Sequence, residues 1–318
     1  MTILVTGANG FVGSALCAKL HHDAVPVRGA IRTLQPQRDS DQVIAVGEIS
    51  TETDWTAALK DVKQVVHLAA RAHVMNDKCA EPLSEFRRVN VSGAANLARQ
   101  AAAAGVRRFV FLSTIKVNGE FTEEGKTFTA NDVPAPQDPY GASKHEAEQV
   151  LRQIAGETGM ELVVIRPPLV YGPGVKGNFL SLMQAIDKRR PLPLGAIQNR
   201  RSLIYVGNLV DIIRLCLTHP KAAGKVFLAS DGNDLSTPEL VRRLAASMGR
   251  RPFIVPLPTP WMRFAGWMLG KQASVDRVIG SLAVDTTPLR DELGWQPCYT
   301  IQAGLEATAL WYQKKVNM

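Results

Sequence analysis

The feature that most constrains this 318-residue chain is the alternation, through its first half, of short, wholly apolar runs with longer helical patterns. ILV at 3–5 is followed by a helical stretch from Phe11 to about His21, then by AVPVRGAI at 24–31 and VIAV at 43–46. The period continues with QVVHLAA at 64–70, a helix from about Glu81 to Ala104, RFVFLS at 108–113, a helix from Tyr140 to about Thr158, and ELVVIR at 161–166. Strands that are apolar on both faces must be covered on both faces, so the pattern predicts an α/β fold built on a doubly wound parallel sheet. With 46% hydrophobic and 21% charged residues, the chain can bury a core of that size.

After Arg166 the passage PPLVYGPGVKGN breaks the alternation and suggests entry into a second lobe. SLIYV at 202–206 and KVFLA at 225–229 read as strands returning to the first. The expected organisation is a Rossmann-type domain over 1–170 and about 200–229. A smaller C-terminal α/β substrate lobe takes about 171–199 and 230–318.

Between the first strand and the first helix, Gly7, Gly10 and Gly13 form GxxGxxG. In that position a tight turn brings backbone N–H groups to a pyrophosphate at a helix N-terminus, which predicts a dinucleotide site. At the end of the second strand, where Asp or Glu would meet a ribose 2′-hydroxyl, the chain has Arg28 and Arg32. Arginine suits a 2′-phosphate, so NADP(H) is favoured, with NAD(H) as the alternative.

Asp138-Pro139-Tyr140 reads as N-cap, first position and first turn of a helix, and Tyr140 and Lys144 then share one face of it. A phenol beside an ammonium is a candidate proton shuttle, because positive charge favours the phenolate. Ser113 and Thr114, at the carboxyl end of a predicted parallel strand, are candidate hydroxyls to polarise a substrate oxygen.

Other chemistries find little support. The histidines at 21, 22, 67, 73, 145 and 219 have no metal-ligand spacing, so no metal is expected. Cys17, Cys79, Cys216 and Cys298 are far apart and suggest neither disulfides nor a thiolate zinc site. That usage, with no signal peptide at the N-terminus, points to the cytoplasm. The net charge of +8 comes from dispersed pairs of arginines, so no nucleic-acid partner is expected. The apolar stretch from Pro260 to Gly270 is about half the roughly 20 residues needed to cross a bilayer, which predicts no membrane span. It reads as a packed helix of the second lobe, with a lid over the substrate or a membrane-surface contact as the sharper alternatives.

Taken together, the glycine loop, HLAAR at 67–71, VNVSGAANL at 89–97, LSTIKVNG at 112–119, Tyr140-xxx-Lys144 and RPPLVYGPG at 166–174 resemble the extended short-chain dehydrogenase/reductases. More narrowly, they resemble the NAD-dependent epimerase/dehydratase group acting on nucleotide sugars. The resemblance implies Tyr140 as general acid/base, Lys144 holding the nicotinamide ribose, and Thr114 orienting the sugar oxygen. Thr114 lies four positions before Asn118, which stands where the group's run carries an aromatic residue. Implied cofactor contacts are Gly7, Asn9, Gly10, Phe11, Val12, Gly13, Arg32, Glu48, Ile49, Leu68, Ala69, Ala70, Asn90, Ser113, Tyr140, Lys144, Pro167 and Val170. Implied substrate contacts are Arg71, Thr114, Lys116, Tyr140, Asn178, Arg201 and Arg277, with the last three near the nucleotide diphosphate. The substrate implied is a UDP-sugar, and a homodimer is common in the group.

The group's 4,6-dehydratases carry an Asp-Glu pair after the catalytic Thr, where this chain has Ile115 and Lys116, so dehydration is disfavoured. That leaves reduction of a UDP-4-keto-(6-deoxy)-N-acetylhexosamine in surface-polysaccharide synthesis, favoured by the cofactor argument, or 4-epimerisation of UDP-glucose or UDP-N-acetylglucosamine. Another small-ketone reductase and a non-catalytic NADP-sensing protein are the rival classes.

Overall fold

A computed structural model describes residues 2–34, 42–72 and 81–316; His73 and Cys79 lie outside the described residues. Seven parallel strands form the main sheet in the order β3-β2-β1-β4-β5-β6-β9. They are β1 (Thr2–Thr6), β2 (Val27–Ile31), β3 (Val43–Ala45), β4 (Val62–His67), β5 (Arg108–Leu112), β6 (Glu161–Arg166) and β9 (Val226–Leu228). Alternate residues of each strand enter opposite cores, as a doubly covered sheet requires. Ile3, Val5, Val66, Val110 and Val163 pack on one face, while Leu4, Val65, Phe109, Phe111 and Val164 pack on the other.

The first face is covered by α1 (Phe11–His22), α7 (Val206–Thr218) and α11 (Thr287–Leu293), through Leu16, Leu20, Leu209, Ile213 and Leu289. The second is covered by α2 (Thr56–Leu59), α4 (Ala94–Ala103) and α5 (Pro139–Thr158), through Leu59, Leu97, Ala98, Ala147 and Leu151. The helix expected from Glu81 to Ala104 is present but not uniform. It runs as α3 (Pro82–Arg87), a π-helical turn over Arg88–Gly93, and α4. Such turns are frequent at functional sites, and this one turns the side chain of Asn90 inward.

The remaining elements form a second core. It contains β7 (Leu169–Tyr171), β8 (Leu203–Tyr205), α6 (Gly177–Asp187), α8 (Thr237–Ser247) and α12 (Ile301–Val316), packed through Tyr171, Phe179, Met183, Leu203, Leu244 and Leu305. The segment KVFLA does join the main sheet beside β6, whereas SLIYV does not: β8 pairs with β7 in a separate two-stranded sheet. Only hydrogen-bond geometry separates the two cases, since both segments are short and apolar. The remaining pair of helices, α9 (Thr259–Met268) and α10 (Gln272–Ile279), forms a hairpin beside this lobe.

The glycine turn shows why its residues are glycines. Gly7 has φ +65°, and a Cβ on it would lie 3.0 Å from the backbone nitrogen of Ala69, at the end of β4. A Cβ on Gly13 would lie 2.1 Å from the carbonyl oxygen of Gly7, so the first turn of α1 rests directly on the loop. Replacing Gly13 by Ala is expected to force backbone apart, cost about 1–3 kcal/mol and weaken dinucleotide binding. Thermal unfolding and a binding titration check this, and an unchanged melting temperature with unchanged affinity would count against the packing argument.

Candidate active site

Three strand ends line up beside the glycine turn. The register places Thr6, His67 and Phe111 in one row across β1, β4 and β5, so the row spans about 10 Å. Immediately after Thr6 comes Gly7, and Gly10 begins α1 without a side-chain cap, leaving the first N–H groups of the helix for an anion. This cradle fits a dinucleotide pyrophosphate. Around it, Asn9 is exposed, Val12 packs on the sheet core, and Phe11 leans on Gly174 of the second lobe. Val170, on β7, packs against the same sheet core as Val12.

The edge of β4 is fixed by a single hydroxyl. Thr6 Oγ1 accepts the N–H groups of Leu68 and Ala69, so its own proton goes to Nδ1 of His67 at 2.8 Å. The ring proton of His67 therefore sits on Nε2, which is buried without a partner among the described residues. Burial, aided by the positive charge of Lys144, pushes the imidazole down to about 3, so His67 is neutral at physiological pH. Just beyond Ala70, the amide of Asn90 accepts the N–H of Arg71 and donates to the Arg71 carbonyl and to Ser143 Oγ. Asn90 thus ties the loop after β4 to α5 and has a structural part. The guanidinium of Arg71 lies over the Phe86 ring, 5.5 Å from its centre.

Helix α5 brings the Tyr-Lys pair to this row. Asp138 caps it, its Oδ1 accepting from the Gly141 N–H, and Pro139 occupies the first position. One turn on, Lys144 is buried with Nζ 3.8 Å from the centre of the Phe111 ring. Burial lowers its pKa to about 7, opposed by the charge of Glu148. The Tyr140 ring is half-buried and tilted against Phe86 at 6.2 Å. Desolvation, with the negative charge of Asp138, pushes its phenol up to about 12.

After β5, Thr114 is buried and its Oγ1 accepts the Lys116 N–H at 3.3 Å, which leaves its proton for another acceptor. Ser113, expected on the cofactor side, turns its hydroxyl elsewhere. Its hydroxyl donates to Glu148 Oε1 at 2.6 Å, inside a network the sequence reading did not anticipate. Arg166 donates to both oxygens of Glu148, at 2.9 and 2.5 Å, and to the Asn118 side-chain oxygen at 2.9 Å. Two sequence signals pointed there: an arginine ending the apolar run ELVVIR, and a glutamate four residues after Lys144. Pro167 is buried next to Arg166, and its carbonyl accepts the Ile115 N–H, joining β6 to the Thr114 turn.

The cofactor's expected 2′ end needs correction. Arg28 is not free to meet a phosphate, because its Nη1 donates to the carbonyls of Ala58 and Lys60 at 2.9 and 2.6 Å. Arg32 is exposed at the end of β2, 3.8 Å from Glu48, which also reaches Arg88 at 3.6 Å. Ile49 is half-buried against Gly93 of the π turn, where a Cβ would clash with it.

Of the expected substrate residues, three meet around Glu120, which the sequence reading missed. Lys116 Nζ pairs with Glu120 at 3.0 Å and with Asp138, and Arg277 reaches Glu120 at 3.3 Å. Arg201, facing the same carboxylate charge, donates to the carbonyls of Arg277 and Gly280. Its guanidinium therefore braces the end of α10, a tertiary role that residue spacing does not reveal. Asn178 is exposed on the first turn of α6, a separate element from this cluster.

Residues 3–229 match the NAD dependent epimerase/dehydratase family. The chain belongs to that family. It is 48% identical over 311 residues to a UDP-glucose 4-epimerase of Vibrio cholerae, an alignment covering 97% of this chain and 94% of that protein. It is 28% identical to an Escherichia coli O157:H7 N-acetyl-alpha-D-glucosaminyl-diphospho-ditrans,octacis-undecaprenol 4-epimerase, over 96% of this chain and 93% of that one. Among solved structures, MoeE5 in complex with UDP-glucuronic acid and NAD superposes with a TM-score of 0.79 at 25% identity, covering 99% of this chain and all of that one. A Thermotoga maritima UDP-glucose 4-epimerase shares the fold, with a TM-score of 0.78 at 23% identity over 99% and 100% of the two chains. As a member of this family the chain is an NAD-dependent enzyme, and its sheet and flanking helices are those of its structural neighbours.

Lys144 makes the site testable through stability. Its folded pKa of about 7 lies below the ordinary lysine value of 10.5, so between these pH values the unfolded chain binds more protons. Stability then rises with pH across that window, by up to about 1.4 kcal/mol per unit. Replacing Lys144 by Met is expected to raise the melting temperature of the cofactor-free protein at pH 7 and to flatten this slope. A Met variant with the unaltered slope would show that Lys144 is not the titrating group.

Proposed function

We propose that this chain catalyses the epimerisation of a UDP-sugar at C4, through oxidation to a 4-ketone and return of the hydride to the other face. The observation that supports the reading is Lys144 resting on the Phe111 ring at the end of β5, one helical turn after Tyr140 and beside the turn that carries Thr114, with the glycine turn shaped for a pyrophosphate next to that row of strand ends. The 48% identity to a UDP-glucose 4-epimerase supports the same chemistry. The dinucleotide, when bound in its oxidised form, supplies the hydride acceptor and a positive charge.

In this reading Thr114 and Tyr140 address the C4 oxygen. The Thr114 hydroxyl already accepts a backbone N–H, so its proton is free to donate to that oxygen. The Tyr140 phenol, held near 12, is a proton donor as it stands and protonates a C4 alkoxide. To take a proton it needs added positive charge, which Lys144 contributes as an ammonium on the same helix face. His67 stays neutral behind Lys144 and so adds no competing charge. Lys116 occupies the position of the dehydratase acid-base pair, and its ammonium engages Glu120 and Asp138. An elimination therefore lacks an unengaged carboxylic acid next to Thr114. The diphosphate of the substrate falls to Arg277 and Arg201, with Arg71 and Asn178 as further candidates.

A specific observation favours the reductase as a second reading. Arg32 is exposed where β2 ends and the strand itself carries no carboxylate there, although Glu48 lies 3.8 Å from the guanidinium; an exposed arginine at that place suits NADPH. Against it, Arg28 is committed to capping α2. The nucleotide carried by the purified protein separates the two. Tightly held NAD supports the epimerase, while an empty site that takes up NADPH and reduces a UDP-4-ketosugar supports the reductase. A protein that binds neither UDP nor a UDP-sugar removes both. Replacing Tyr140 by Phe is expected to lower turnover by about 100-fold or more with cofactor binding retained. Near-normal turnover of that variant would exclude the phenol as the proton carrier.

A further inference from the structure

Most of the helices bury an apolar stripe, but α9 does the reverse. Only Met262 and Gly266, four residues apart, are buried. Gly266 lets α10 approach so closely that a Cβ there would sit 2.7 Å from Val275, and Arg263 joins the two helices by an ion pair to Asp276 at 3.4 Å. The seam toward α10 is thus narrow and complete. On the opposite side lie Trp261 (64% exposed), Phe264 (53%), Trp267 (67%) and Met268 (67%), continued by Leu269 (72%). This corrects the expectation that the segment is a packed helix of the second lobe. Nor is it a lid: the side of the hairpin tied to the active site is α10, through Arg277 to Glu120, and the aromatic face points the other way.

An aromatic side chain carries about 150–250 Å² of surface, so this face exposes on the order of a few hundred Å² of contiguous apolar area. Its surroundings are cationic. Residues 250–277 contain Arg250, Arg251, Arg263, Lys271 and Arg277; Arg250 pairs with Asp187, Arg263 with Asp276 and Arg277 with Glu120, so these five cations still outnumber the three carboxylates they meet. Two copies meeting face to face about a twofold axis would oppose these cations to one another. Tryptophans with flanking lysine and arginine match instead a headgroup layer, where indole rings sit at the boundary and cations meet lipid phosphates. At ten residues α9 is about 15 Å long, and no helix among the described residues is long and apolar enough to cross a membrane. The geometry is that of a helix lying in the interface plane.

We propose that the α9–α10 hairpin docks this enzyme on an anionic lipid bilayer, with Trp261, Phe264, Trp267, Met268 and Leu269 inserted and Arg263 and Lys271 at the headgroups. The proposal is independent of the epimerase and reductase readings. Arg201 and Asn199 hold the carbonyls at the end of α10, and Arg277 holds Glu120, so docking places the substrate side of the enzyme close to the membrane surface.

The test is co-sedimentation of the full chain with phosphatidylcholine vesicles, with and without about 30% phosphatidylglycerol. Binding to the anionic vesicles is expected, weakened by high salt and accompanied by a blue shift of tryptophan fluorescence. Changing Trp261, Phe264 and Trp267 together to Ser should lower the partition coefficient by about tenfold or more, while Arg263→Gln with Lys271→Gln should lower it several-fold. These residues lie outside the catalytic machinery, so unchanged thermal unfolding and dinucleotide binding verify that the variants fold. Three outcomes overturn the proposal: no binding to anionic vesicles above the neutral ones, unchanged binding by the triple Ser variant, or lipid-free self-association that this variant abolishes.

Discussion

The ion pair between Glu148 and Arg166 is the interaction on which the rest of the site depends. Both side chains are almost wholly shielded from water, and removing either partner of such a pair leaves a buried charge at a cost of about 3–5 kcal/mol. Around it the Ser113 hydroxyl and the Asn118 amide satisfy the remaining polar atoms. Four pieces of chain thereby become one body: the end of β5, the turn carrying Thr114 and Lys116, helix α5 and the end of β6. Asn118 keeps its place by accepting from Arg166 and donating to the Thr129 carbonyl. Proton transfer over hydrogen-bond distances tolerates little play, and this network removes it.

Within that body, α5 separates two jobs by four residues. Lys144 faces the strand ends, and Glu148, one turn later, faces the ion pair. The carboxylate is close enough to raise the lysine's pKa but not enough to offset its burial, so the ammonium stays easily titrated and rests on the Phe111 ring. His67 is its neutral counterpart. Thr6 donates to one of its nitrogens, two phenylalanine rings lie beside it, and the nearby positive charge discourages a second proton. The resulting site is one in which added positive charge has a large effect on the phenol of Tyr140, because little water is present to screen it.

A second cluster couples the lobes. Glu120 receives Lys116 from the turn after Thr114 and Arg277 from α10, while Arg201 and Asn199 cap the carbonyls where α10 ends. Lys116, Glu120 and Arg277 thereby form a salt-bridged strut. The same strut anchors a hairpin whose outer face is aromatic, so the substrate side of the enzyme is tied to α10 and the exposed apolar face lies on its partner α9.

Sequence by itself determined the parallel sheet, the glycine turn and the Tyr140–Lys144 face, because each is set by local chemistry: apolar runs on a strand period, a turn that excludes Cβ, and a four-residue helical repeat. Tertiary structure alone decided which charges are spent on folding. Arg28 reads the same in sequence whether it meets a phosphate or caps α2, and nothing in the spacing of Arg201 shows that it braces the end of α10. Glu148, Arg166 and Glu120 come from distant segments, and their pairing exists only once the strands and helices have packed. The segment 259–269 is equally apolar whether it faces a core or solvent. Its hydrophobicity is a property of the residues, but the direction it faces is set by Gly266 and Val275 closing the seam on the other side.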